Sequence, residues 1–240
     1  MAPTNDERPV TVITGASQGI GAGLVAGYRS RGYRVVANSR TIKPTESPEV
    51  VAIAGDVADP ETAERVVEGA IVHFGRIDTL VNNAGVFIAR PFADYSGDDF
   101  AKFVGINLGG FFHMSQRAAA HMLERGRGHI VSITTALVEQ PLSAVPSALA
   151  SLTKGGISAA TRALAIEYAG KGIRVNAVAP GIIKTPMHPA EAHAALSALH
   201  PMGRMGTVEE IVEAVLYLET AAFVTGEVIH VDGGQQAGHW

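Results

Sequence analysis

Thr14-Gly15-Ala16-Ser17-Gln18-Gly19-Ile20-Gly21 places three glycines between an apolar run and a helical pattern. Glycines so spaced let a backbone turn tightly and approach an anion, whose charge then rests on free N–H groups at a helix start. Gly15, Ser17, Gln18, Gly19, Ile20 and Gly21 are the candidate contacts, and a pyrophosphate is the anion that such a strand-loop-helix suits. The next apolar run closes on Asn38-Ser39-Arg40. An acid there would accept from a ribose 2′-hydroxyl and repel a 2′-phosphate. Ser39 and Arg40 instead offer a hydroxyl and a planar cation, which suits NADP better than NAD. The alternative is that Arg40 is a solvated loop charge.

More polar groups follow later apolar runs. Asp56-Val57 can meet an adenine amino group, or Asp56 can cap a helix starting near Pro60. In Asn82-Asn83-Ala84-Gly85, the amide side chains of Asn82 and Asn83 can tie neighbouring loops, while Ala84 and Gly85 leave room for a sugar or ring. Ser132-Ile133-Thr134-Thr135 ends a run in hydroxyls. Lys154 lies four residues after Ala150 and so shares a helix face with it.

The elements that must position these groups are legible from periodicity. Strands are expected at 10–14, 33–38, 50–55, 78–81, 129–133, 173–178 and 228–231. Helices are expected at 20–31, 60–74, 100–125 (as two helices meeting near the glycines at 105–110), 148–170 and 208–219. Pro146-Ser147 reads as the start of the 148–170 helix, with Ser147 as its cap. Such alternation implies βαβ units, hence an α/β fold: one Rossmann-type, doubly wound parallel sheet flanked by helices on both faces. Residues 1–8 read as a flexible leader and 9–240 as a single domain. The one irregular stretch is 184–206.

Taken in order, TGASQGIG at 14–21, Asp56-Val57, NNAG at 82–85, Asn107, Lys154, Pro180-Gly181-Ile182-Ile183-Lys184-Thr185 and Val231-Asp232-Gly233-Gly234 resemble the short-chain dehydrogenase/reductase family over about residues 9–234. The resemblance implies a hydride-transfer enzyme, usually a homotetramer (a homodimer is the alternative), with a small-molecule substrate. It implies that Pro180, Gly181, Ile183 and Thr185 meet the nicotinamide, and that 184–206 is a mobile substrate lid. It also implies a catalytic set of Asn107, Thr135 and Lys154, with Lys154 binding the nicotinamide ribose. The family's proton donor is a tyrosine four residues before the lysine, and here that residue is Ala150. A positioned acid contributes 10²–10⁴-fold. Of the chain's five tyrosines, at 28, 33, 95, 168 and 217, only Tyr95 lies where it could overhang the pocket. Glu139 and His188 are candidate surrogates, with Gln140, His193, Ser147 and Lys154 itself acting through water also in play. The expected activity is NADP-dependent hydride transfer to or from a small carbonyl or alcohol, an imine or an activated alkene. The alternative is a catalytically silent NADP-binding subunit or sensor.

Composition narrows the partners. The formal charge is -4, with both signs scattered, so no basic stripe for nucleic acid is present. With no cysteine there is no thiolate metal site, and the histidines at 188, 193 and 200 lack zinc-ligand spacing; no metal is expected. No signal sequence or membrane-length apolar run is evident, so a cytoplasmic location away from the membrane is the expectation.

Overall fold

Runs such as Val10–Thr14 and Arg34–Ser39 are wholly buried, which is what strands covered on both faces require. The computed structural model describes residues 7–238. Strands β1 (Val10–Thr14), β2 (Arg34–Ser39), β3 (Val50–Ala54), β4 (Thr79–Asn82), β5 (Gly128–Ile133), β6 (Ile173–Pro180) and β7 (Val228–Val231) form one parallel sheet. Its order is β3-β2-β1-β4-β5-β6-β7. Helices α1 (Gly19–Ser30), α2 (Pro60–Phe74), α3 (Gly97–Phe103), α4 (Gly110–Arg125), α5 (Ala148–Tyr168), α6 (His193–Ser197) and α7 (Val208–Thr220) connect the strands.

Alternation along the strands divides the interior into two cores. Val12, Val36, Leu80 and Ile130 face a cluster with Val66 and Ala70 of α2, Met114 and Ala118 of α4, and Ala165 of α5. Their neighbours Ile13, Val35, Val81 and Val131 face Leu24 and Tyr28 of α1 and Ile211 and Val215 of α7. A one-residue slip of any central strand would exchange these sets, so register is tightly specified. Successive strands run outward from β1 in one direction and, beginning with β4, in the other. That reversal opens a crevice at the carboxyl ends of β1 and β4, where open α/β sheets bind ligands.

The expected strands and helices are present, some with the expected ends and others with ends moved by up to three residues. The two helices expected to meet near 105–110 are α3 and α4, joined by a π-helical turn, Val104–Gly109. The irregular 184–206 stretch contains α6 and a short 3₁₀ turn, Ala190–Ala192. The cap on α2 is Asp59, whose side chain accepts from Glu61 N, rather than Asp56. Of the expected leader, residues 1–6 lie outside the described residues. Residues 7 and 8 are tied to the body: the carbonyls of Glu7 and Arg8 accept from Arg76 and Arg34. Among the described residues no helix is long and apolar enough to cross a membrane.

Candidate active site

The glycine loop forms a cradle that side chains would fill. Gly15 has φ of 64°, and a Cβ there would lie 2.9 Å from the Ala84 Cα. A Cβ on Gly21 would lie 2.1 Å from the Gly15 carbonyl oxygen, which is impossible. Gln18 occupies the N-cap of α1 without capping it, so the free N–H groups of this helix face the loop opening. Thr14, which the sequence reading passed over, locks the cradle to the next loop. Its Oγ1 accepts from Asn83 N and Ala84 N, both at 3.0 Å. Asn83 Nδ2 returns hydrogen bonds to the carbonyls of Thr14 (2.9 Å) and Gly15 (3.2 Å). A dinucleotide's phosphates fit such a cradle, because close backbone approach and uncapped helix N–H groups are both present.

Farther along the carboxyl edge, Ser39 is buried and its Oγ accepts from Thr41 N. Arg40 is two-thirds exposed, and its nearest charged partner is the Asp56 carboxylate at 3.9 Å. Asp56 also accepts from Ala58 N. Val57 packs where α4 begins, within 3 Å of a Cβ placed on Gly110.

On the other side of the crevice the π turn carries Asn107, which is buried. Its Oδ1 accepts from Val86 N (2.9 Å), and its Nδ2 donates to Val86 O (3.2 Å) and Thr153 Oγ1 (2.9 Å). Lys154 is buried, and its Nζ donates to Ile133 O at 2.6 Å. Burial brings its pKa down to about 8. Gly85 has no side chain where Lys154 and Asn107 approach: a Cβ there would lie 3.0 Å from Nζ and 3.3 Å from Asn107 Oδ1. Lys154, Asn107, Asn82 and Thr14 line a cavity of about 10 Å³, the size of one water. Thr135 follows β5, and its Oγ1 accepts from Leu137 N. Thr153 is a support that spacing did not reveal, and it holds Asn107; Asn82, one of the two amides expected to tie neighbouring segments, holds Ser115.

Pro180 ends β6, and Gly181 N donates to Val231 O. Thr185 packs against the cradle, 3.3 Å from a Cβ placed on Gly19. The segment that follows leaves and returns at one place: Ile183 bridges Gly206, Lys184 N donates to Gly206 O, and Gly206 N donates to Ile182 O. His200, buried in that segment, accepts from Ile182 N at Nε2 and contacts Leu196 O through Nδ1. It is therefore the neutral Nδ1–H tautomer and serves as an anchor.

Residues 15–236 match the family described as "Enoyl-(Acyl carrier protein) reductase". A putative ketoacyl reductase of the granaticin polyketide synthase of Streptomyces violaceoruber is 37% identical over 98% of both chains. The 3-oxoacyl-[acyl-carrier-protein] reductase FabG of Thermotoga maritima is 33% identical over 95% of this chain and 98% of its own. The solved structure of ElxO with NADP bound superposes with a TM-score of 0.90 at 29% identity, covering 96% of this chain and all of that one. A 3-ketoacyl-(acyl-carrier-protein) reductase from Brucella melitensis complexed with NADH gives 0.88 at 29% identity, over 95% and 98%. The chain belongs to the short-chain dehydrogenase/reductase family.

In this short-chain dehydrogenase/reductase the position four before Lys154 is sealed. Ala150 is 1% exposed and belongs to an apolar cluster with Phe103 and Leu149, against which Val86, Phe87, Ile88 and Tyr95 pack. The surrogates are placed unequally. Tyr95 donates its hydroxyl to Ile88 O at 2.7 Å, and burial raises its pKa, both poor properties for an acid. Glu139 turns toward His230 of β7, 3.4 Å from Nε2. His188 has its pKa lowered by burial and by His193, so it is deprotonated more readily than an ordinary histidine. His193 Nε2 contacts the His188 carbonyl. Ser147 stands at the N-cap of α5, but its hydroxyl does not cap the helix.

Proposed function

We propose that this chain is an NADP-preferring oxidoreductase acting on a small carbonyl or alcohol, an imine or an activated alkene, with proton delivery altered by Ala150. The observation that carries the reading is the convergence of the Gly15–Gly21 cradle, Asn107 and Lys154 on the crevice between β1 and β4. The relatives named as ketoacyl reductases, and the neighbour that holds NADP, support it.

When bound, the dinucleotide supplies or accepts the hydride. The chain's own residues do the rest. The cradle from Gly15 to Gly21 takes the pyrophosphate. Ser39 and Arg40 take the 2′-phosphate, while Asp56, Val57, Asn83, Ala84 and Gly85 border the adenosine and ribose. Pro180, Gly181, Ile183 and Thr185 hold the nicotinamide end, and Lys154 Nζ holds its ribose. Thr135 orients the substrate oxygen. Asn107 connects Lys154 to the water-sized cavity, which gives protons a route inward. The segment 184–206, pinned at both ends by the Ile183–Gly206 ladder, closes over the substrate. A silent NADP-binding subunit is the second reading, favoured by the one observation that Ala150 carries no acid. NADPH consumption followed by absorbance over ketones, imines and enones separates the two: tight binding without turnover on any of them sinks the enzyme reading.

Arg40 provides a cofactor test. Charge-assisted hydrogen bonds contribute about 1.5–3 kcal/mol, so Arg40→Ala is expected to weaken NADPH binding tenfold or more and to leave NADH binding nearly unchanged. Calorimetry on the wild type that returns equal affinities for the two cofactors would refute the preference.

Assembly is part of the proposal. Phe112 on α4 and Leu152 and Ile166 on α5 are exposed at 53%, 58% and 84%, an apolar surface that a closed symmetric oligomer would cover. A tetramer, or a dimer, is expected by light scattering at micromolar concentration; a monomer would overturn the expectation.

A further inference from the structure

We propose that Ser147 is the side chain that meets the substrate oxygen where Ala150 cannot. The proposal rests on the oxidoreductase reading above. Ser147 is the N-cap of α5, three residues before Ala150 and seven before Lys154, at the end of the helix toward which both side chains lean. Side chains on a helix lean toward its N-terminus and cover the turn before their own Cα. A long side chain at 150 would therefore cover the turn at 146–147, and Lys154 leans back toward 150. Ser147 already holds a hydroxyl in that turn.

This hydroxyl is uncommitted. Ser147 is 7% exposed, its Oγ makes no capping bond, and it has no hydrogen-bond partner among the described residues. Only its backbone is engaged, with its carbonyl accepting from Ser151 N. A buried hydroxyl at an N-cap ordinarily accepts from the first turn. With no protein partner, it is free to donate to a bound oxygen. Neighbouring contacts locate the start of α5. The neighbouring Pro146 carbonyl accepts from Arg90 N of the loop after Gly85, and Ser151 Oγ donates to Leu137 O just beyond Thr135. The start of α5 thus sits between the two segments that flank Asn107 and Thr135. Its uncapped N–H groups add a partial positive charge there. In this arrangement Ser147 donates a hydrogen bond to the substrate oxygen, opposite the one from Thr135. It stabilises the negative charge that grows there as hydride arrives, and the oxygen takes its proton from water.

The test begins with Ser147→Cys. The chain has no native cysteine, so this isosteric change installs its only thiol. Iodoacetamide should alkylate it in the folded protein with an apparent thiol pKa below the ordinary value of about 8.5, because Lys154 and the helix start favour the thiolate. Adding Lys154→Met should return that pKa toward the ordinary value. A thiol that is unreactive in the native state, or whose titration ignores Lys154→Met, overturns the proposal whether or not a turnover substrate is in hand. With whichever panel compound consumes NADPH fastest, Ser147→Ala should lower kcat at least tenfold, Ser147→Thr should restore much of it, and calorimetric NADPH affinity should not change. Unchanged kcat in Ser147→Ala refutes the role. Absence of turnover in the wild type, with the thiol result as expected, removes the oxidoreductase reading and leaves the placement of Ser147 standing.

Discussion

Ala150→Tyr is expected to raise NADPH-dependent carbonyl reduction by one or more orders of magnitude. The reason is geometric. A phenol at 150 leans over the turn at 146–147 and lies on the same helix face as Lys154, whose charge lowers the phenol pKa and makes it a better acid at neutral pH. A positioned acid contributes about 10²–10⁴-fold, or about 3–5 kcal/mol of barrier. Packing opposes part of this gain, because Ala150 is sealed among Leu149, Phe103, Val86, Phe87 and Ile88. The aromatic ring must displace part of that cluster, and overpacking costs about 1–3 kcal/mol of stability. The measurement is NADPH absorbance over the ketone panel, with a thermal melt alongside. If the wild type is active and Ala150→Tyr abolishes turnover while still binding NADPH, the alanine is there to make room for substrate or for a relocated donor such as Ser147. Glu139→Gln and His188→Ala, each followed by its pH profile, then test the remaining candidates.

The second large effect concerns stability and arises at the opposite edge of the sheet. Glu219, at the end of α7, is enclosed by donors. Thr79 Oγ1 and Tyr33 OH donate to Oε1 at 2.9 and 3.3 Å, and Tyr28 OH donates to Oε2 at 3.0 Å. His129 Nδ1 lies 3.0 Å from Oε2. The histidine tautomer follows from its other side. Asn176 accepts from Glu227 N and donates to Val224 O, which orients its amide so that Nδ2 donates to His129 Nε2 at 3.1 Å. His129 is therefore neutral, with its proton on Nδ1 and directed at Glu219.

Glu219→Ala leaves three or four buried donors without an acceptor. Each unsatisfied group costs about 1–3 kcal/mol, and with some relaxation the loss is expected at about 3–5 kcal/mol. A denaturant titration showing less than about 1 kcal/mol would mean that water replaces the carboxylate freely. The same cluster predicts acid sensitivity. Burial lowers the His129 pKa, outweighing the opposing Glu219 contacts. The folded state thus binds fewer protons than the unfolded one, and stability falls as pH drops below the ordinary histidine value of about 6.5. For Glu219 burial favours the neutral acid, but hydrogen bonds from His129, Thr79 and Tyr28 outweigh it and hold the pKa down. Its contribution is present above the ordinary carboxylate value and is lost as pH falls through the lowered one. Both shifts have the same sign, so the melting temperature should fall on acidification from pH 7 to 5. His129→Gln should flatten that first part of the slope. An unchanged slope would show that His129 does not titrate between the folded and unfolded states.

The sequence by itself determined the sheet, its direction and the family. Buried runs alternating with amphipathic segments allow few architectures, and three glycines between a strand and a helix specify close backbone approach whatever surrounds them. Strand and helix type came through while ends shifted, because pattern reports the side chains facing the core and ends depend on individual caps. Thus Asp59 rather than Asp56 caps α2, and the junction of two helices expected near 105–110 takes the form of a π turn.

Only the tertiary structure decided which polar groups are already committed. Thr14, Thr153 and His200 look ordinary in the chain, yet each holds a loop of the crevice through a partner 18 to 70 residues away. Tyr95 and Glu139 had the right chemistry as surrogates, but the Tyr95 hydroxyl is spent on Ile88 O and Glu139 turns toward His230. Ser147 matched the signature of a helix cap, and its hydroxyl caps nothing. The physical reason is the same in each case. Residue type states what a side chain is able to donate or accept, whereas the partner that uses up that capacity is set by folding, from parts of the chain with no fixed spacing.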